Sequence, residues 1–171
     1  MRQPMRLLIL LGVAMLVVGV QPAAARDPWI GVRVGFYDFK FPDADRVIED
    51  DSGASIGIEL LARIAHRIYF NPNVDYVFVD GGKEATFNAD FHYDFPTHSR
   101  TMLWLGAGAG IHWQDPNDDL RFRRGVETET DPLVNVFVGV GYNGHRVIPY
   151  AQAKYVASKN PGVQLMAGLR F

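Results

Sequence analysis

The chain has 171 residues, no cysteine, and 17 basic against 19 acidic side chains, a formal charge of −2. That length is one domain's worth, and so even a charge balance excludes nucleic acid as the expected partner. An exported domain that depended on disulfides would carry cysteines, so stability has to come from another source.

Residues 1–25 read as a secretory signal peptide. Arg2 and Arg6 form a basic start, 7–20 is an uncharged apolar run, and Ala23, Ala24 and Ala25 offer a small-residue cleavage site before Arg26. The run is shorter than the roughly 18–20 residues a helix needs to cross a bilayer. Cleavage is therefore expected. It leaves 26–171 as one exported domain with a net charge of roughly −4, the original −2 less the two arginines of the signal.

Eight segments of alternating polarity follow, near 29–39, 53–63, 67–79, 83–95, 100–113, 132–142, 146–157 and 162–171. Each reaches the roughly 9–11 residues of a tilted membrane-spanning strand. The stretch 59–66 has some helical look, but it is short and lacks an N-cap. One face of the segments carries Ile30, Val32, Val34 and Phe36, then Ile56 and Ile58, Val74 and Phe78, Phe87 and Phe91, Leu103 and Leu105, and Val134 to Val140 at every second position. The other face carries Arg33, Glu59, Asn71, Asn73, Asp75, Asn88, Asp90, His92, Asp94, His112, Asn135, Gln152, Lys154, Gln164 and Arg170.

Alternation by itself does not say which face is inside, since a soluble ligand-binding barrel would turn the apolar face inward. Two features decide for apolar-out. Glycines 31, 35, 57, 106, 108, 110, 139, 141 and 168 fall on the polar face, where a narrow interior is crowded. Aromatics of the apolar face sort into two bands, with Phe36, Phe78, Phe87, Trp113 and Tyr155 toward one rim and Phe95, Tyr142 and Phe171 toward the other. Two such girdles are expected at the two lipid–water interfaces.

The connections agree. Those at 64–66, 96–99 and 143–145 are short, the last with an Asn-Gly hairpin signal, whereas 40–52 and 114–131 are long and 80–82 and 158–161 tight. Arg63, His66, Arg67, His98, Arg100, His145, Arg146 and Arg170 gather at the short-turn end, and the first long loop is acidic. Solvation alone accounts for such ends; contact of the basic end with anionic headgroups is the functional alternative.

The final segment sets Val163, Leu165, Ala167, Leu169 and Phe171 on one face and Gln164, Met166, Gly168 and Arg170 on the other. A strand that ends the chain on Phe171 resembles the closing strand of bacterial outer-membrane β-barrels. With its strand count and turn asymmetry, the chain resembles the small eight-stranded outer-membrane barrels, of the outer-membrane protein A membrane-domain and outer-membrane protein X type. That resemblance implies an all-β, antiparallel, up-and-down transmembrane barrel of a Gram-negative cell envelope. It also implies Phe171 as the signal read by the barrel-assembly machinery, a monomer, and lipopolysaccharide and outer-membrane lipids as surroundings. It rests on architecture and transfers no functional residue. A peptidoglycan-binding domain after Phe171, as in the two-domain members, is not expected, and neither are long protruding strands.

Sites for chemistry are sparse, and no cofactor or catalytic residue is expected. A lipid A deacylase would need a serine with a histidine base and an acidic partner; His98-Ser99 is the one neighbouring pair and lies at the short-turn end. His92 and His112 with Asp90 and Asp94 offer metal-type donors, though a polar lumen satisfies such groups among themselves. The loop at 115–119 begins like a calcium site but has Leu120 and Val126 where Gly and Glu are required. Arg33, Glu59, Arg63, Asp75, Asp90, His92, Asp94, His112, Lys154 and Arg170 are expected to form a lumenal polar network. The expected function is structural or surface-interacting and non-catalytic. A narrow channel or small-ligand conduit is the alternative, and a lipid A-modifying enzyme the third.

Overall fold

A computed structural model describes residues 28–39, 52–79, 82–116, 128–144, 146–159 and 161–171. Residues 1–27 (which include the expected signal peptide), the acidic loop 40–51, the segment 117–127 and positions 80, 81, 145 and 160 lie outside the described residues. Eight strands, β1 (Trp29–Phe39), β2 (Ser52–Ala65), β3 (Ile68–Val79), β4 (Gly82–Asp94), β5 (Thr101–Pro116), β6 (Glu129–Tyr142), β7 (Ile148–Ala157) and β8 (Gly162–Arg170), close in chain order into a barrel. Every neighbouring pair is antiparallel, including β1 with β8. Closure leaves no sheet edge, so the wall satisfies its own backbone without water.

The closing seam runs from Gly31↔Arg170 to Phe39↔Gly162. Phe171 lengthens it by one residue, donating its N–H to the Ile30 carbonyl (2.8 Å) and accepting from the Ile30 N–H (3.2 Å). The β2–β3 ladder breaks in two places: pairing skips from Glu59↔Asn73 to Ala62↔Phe70 opposite Pro72, which has no N–H to give, and the register shifts between Arg63 and Ala65. There β2 loses its alternation, and Leu61 and Ala62 are both buried.

Two strands run further than their polarity indicates. The β5–β6 ladder continues to Gln114↔Glu129, into a stretch expected to be loop. Backbone pairing does not need alternating polarity. At 16 residues, β5 exceeds what a tilted span requires by about five.

The side chains divide by parity. Ile30, Leu165 and Val134 stand 63%, 56% and 58% exposed on the outer wall, while Arg33, Asp75, Asp90, Lys154 and Arg170 are sealed within at 2% or less. Along the axis the interior has three layers. Tyr37, Val77, Leu133 and Val156 form an apolar cluster toward the end of the β1–β2 and β5–β6 connections. Trp104, Phe137 and Tyr150 form a second toward the short-turn end, and the ionic side chains lie between the two. An eight-stranded barrel has room for side chains and little more.

Candidate functional site: the sealed lumen

The strand pleat delivers Arg33 from β1, Glu59 from β2, Asp75 from β3, Asp90 from β4, Lys154 from β7 and Arg170 from β8 into one volume. The Arg33 guanidinium donates from Nε to Asp75 Oδ1 (2.7 Å) and from Nη2 to Asp75 Oδ2 (2.6 Å), a two-point pairing. Its Nη1 reaches Glu59 Oε2 (3.4 Å), and Glu59 Oε1 accepts from Arg170 Nε (2.6 Å). Asn71 donates to Glu59 (2.8 Å), and Asn73 accepts from Arg33 Nη2 (2.5 Å) while donating to Asp90 Oδ2 (2.8 Å). Lys154 Nζ donates to the same Asp90 oxygen (2.6 Å), and Asn135 donates to the other (2.9 Å). Three cations and three anions are therefore linked through amides into one neutral chain of contacts.

Two further pairs stand apart from it. His92 Nε2 lies 3.3 Å from Asp94 Oδ1, and His112 Nε2 lies 3.4 Å from Glu84 Oε2. His92 faces Gly106 in register, six positions along β5 from His112, or about 20 Å. The two imidazoles cannot share one ion, and no group of three metal-type donors exists among the described residues.

Arg63 is not brought into the lumenal set. Its Nε donates to the Ala65 carbonyl (3.3 Å) and its Nη2 lies 3.5 Å from His66 Nδ1, at the exposed short-turn end. It is the last polar residue of β2 before the ladder irregularity, where the inward face has run out of barrel. Asp94 likewise sits at a strand end, partly exposed, with His92 as its partner.

Glu84 and Thr86 belong to the interior and were not singled out from sequence. Glu84 accepts from Gln114 Nε2 (2.9 Å), and Thr86 donates to Asp75 (3.4 Å). Their parity with Asn88 and Asp90 was the available signal. The inward aromatics had the same signal and were equally hidden by the assumption that a polar face holds polar residues. Trp104 Nε1 donates to Gln152 (3.2 Å). The Arg170 guanidinium carbon lies 5.0 Å from the Trp104 ring centre and 4.2 Å from that of Tyr150, and its Nη groups make no hydrogen bond. Cation–π contact takes the place of acceptors on that side.

Glycine makes these interior side chains possible. A Cβ at Gly139 would overlap the Trp104 ring, one at Gly106 the Phe137 ring, and one at Gly57 the Asp75 carboxylate. Ser55 faces the lumen, where Gln164 donates to it (3.5 Å), and the Ser99 oxygen accepts the Thr101 N–H (3.1 Å). A shallow apolar cleft of about 640 Å³ on the outer wall is lined by Val34, Ala54, Ile56, Phe78, Leu165 and Ala167. At the rim opposite the short turns, Lys159 pairs with Glu129, whose hydrogen bond and charge raise the ammonium above its usual pKa.

No protein-family model matches the chain, and no curated protein matches it in sequence. Solved structures do match in shape. Neisserial surface protein A aligns at TM-score 0.68 and 18% identity, covering 86% of this chain and 97% of that one. The N-terminal β-barrel domain of Pseudomonas aeruginosa OprF aligns at 0.60 and 11% identity, covering 86% and 100%. Ail, the attachment invasion locus protein of Yersinia pestis, aligns at 0.57 and 14% identity, covering 84% and 97%. The fold is that of the small eight-stranded outer-membrane barrels. At these identities the likeness concerns architecture, and the lumenal residues have to be read on their own terms.

Proposed function

We propose that this chain is an exported outer-membrane β-barrel of structural or surface-interacting type, without catalytic activity. The observation that supports it best is the inverted polarity: an ionic interior behind a wall of exposed Val, Ile, Leu and Phe. Water would leave that wall unsatisfied, and hydrocarbon matches it. In this reading residues 1–25 are the cleaved signal, Phe171 serves barrel assembly, and the protein is a monomer among lipopolysaccharide and phospholipid. The outer cleft is then occupied by lipid chains.

A conducting pore is disfavoured by the two apolar clusters that flank the ionic layer. Membrane fractionation with a heat-modifiable gel mobility assay tests the reading. The folded protein is expected in the outer-membrane fraction and to migrate faster unboiled. Recovery as a water-soluble monomer without detergent would sink it. Planar-bilayer recording is expected to give no steady open level. A lipid A acylation profile that the protein alters, and that Ser99→Ala restores, would replace this reading with the enzymatic one.

A further inference from the structure

The short-turn end of the barrel carries its charge on one arc, and backbone contacts fix that arc. Arg63 lies near the end of β2, His66 and Arg67 form the β2–β3 turn, His98 and Arg100 belong to the β4–β5 connection, and Arg146 to the β6–β7 connection. The Arg67 carbonyl accepts the Asp94 N–H (2.9 Å), which sets the first turn against the end of β4. The Arg100 carbonyl accepts the Asn143 N–H (2.8 Å), which sets the second connection against the third. Four arginines are thus spread along contiguous connections. The described acid nearest them in the strands, Asp94, lies 3.3 Å from His92. The far rim is mixed in sign, with Lys83 and Lys159 among Asp38, Asp115, Glu129 and Asp131.

Two further observations point the arc at a ligand. Phe95, Tyr142 and Phe171 stand exposed on the outer wall at this same end, directly below the arginines in the strand order. Aromatics of that kind sit at headgroup level in a bilayer. Arg67 also holds φ at 60°, a left-handed conformation that a side chain of its size rarely takes and that glycine would take without cost. An arginine kept at such a turn position fits a role for its charge at this rim.

We infer that this arc is a docking surface for anionic phospholipid headgroups, with phosphate on the arginines and acyl chains along the aromatic wall. Guanidinium suits phosphate because its planar donors meet two oxygens at once. The inference rests on the membrane-spanning reading above and adds to it a lipid class and one leaflet.

The test uses the full chain folded in phosphatidylcholine vesicles, with spin-labelled phosphatidylglycerol or spin-labelled phosphatidylcholine as probe. The anionic probe is expected to associate about fivefold more strongly at low salt, the effect of one well-engaged arginine. That ratio is expected to fall toward one in the combined variant Arg63→Gln, Arg67→Gln, Arg100→Gln and Arg146→Gln. It is also expected to fall for the unaltered protein at about 0.5 M salt, where screening shortens to a few ångström. Lys83→Gln with Lys159→Gln, at the other rim, is expected to leave it unchanged. Equal association of the two probes, or a preference that survives the fourfold substitution, overturns the docking surface. Failure of the unaltered chain to insert at all, read by gel mobility, overturns the membrane reading instead.

Discussion

Inside a barrel this narrow, each large inward side chain needs a missing one beside it. Gly139 is the space that Trp104 fills, and Gly106 the space that Phe137 fills. Gly139→Ala is therefore expected to destabilise by about 1–3 kcal/mol through overpacking, measured by urea unfolding in lipid vesicles. A change below about 0.5 kcal/mol would mean that the Trp104 ring moves freely. The outer wall has the opposite sensitivity. Val136 is exposed on β6 and pairs with Ala107 on β5. Val136→Arg is expected to cost about 2–4 kcal/mol in a bilayer, and the same unfolding assay reads it. In a soluble setting an exposed arginine would cost nothing measurable, so this variant separates hydrocarbon from water outside the wall.

At the scale of strands, the barrel is tied across its interior as well as around its wall. Glu59 on β2 holds Arg33 on β1 and Arg170 on β8, which braces the closing seam from within. Asp90 on β4 holds Lys154 on β7, on the far side of the barrel. Asp90→Ala would strand Lys154 and remove one of the acceptors of Asn73, which keeps Asn71, and of Asn135, which keeps Asn88. A loss of about 3–5 kcal/mol is expected, because an unpaired buried charge costs more than a pair contributes. Adding Lys154→Met to Asp90→Ala is expected to recover most of that loss. A double variant as unstable as the single one would show that the amides, and not the unpaired ammonium, set the penalty.

At the scale of the molecule, closure is the dominant fact. A wall without edges holds its own hydrogen bonds, which is why a chain without cysteines needs no staples. The seam between β1 and β8 comes last in sequence and joins the two ends of the described chain. Deleting Phe171 removes the two backbone bonds to Ile30 and the aromatic at that rim. Outer-membrane yield is expected to drop far more than the amount secreted across the inner membrane, as read by fractionation and immunoblot. Equal losses in both fractions would assign the defect to export.

Period-two alternation determined the strand count and which residues share a side, because backbone geometry alone fixes that; the glycines and the aromatic bands decided which side is inside. Strand ends were less legible. Gln114 and Glu129 remain in the ladder although polarity stops alternating before them. The partners within the lumen belong to the tertiary structure. Arg33 selects Asp75, Glu59 selects Arg170, and Arg63 falls outside, because closure and register bring residues 42 to 111 positions apart to one level. The apolar layers at the two ends of the lumen were likewise hidden. Parity puts Tyr37, Leu133, Trp104 and Phe137 on the charge-rich face, but only the strands rolled into a narrow cylinder gather them into two layers.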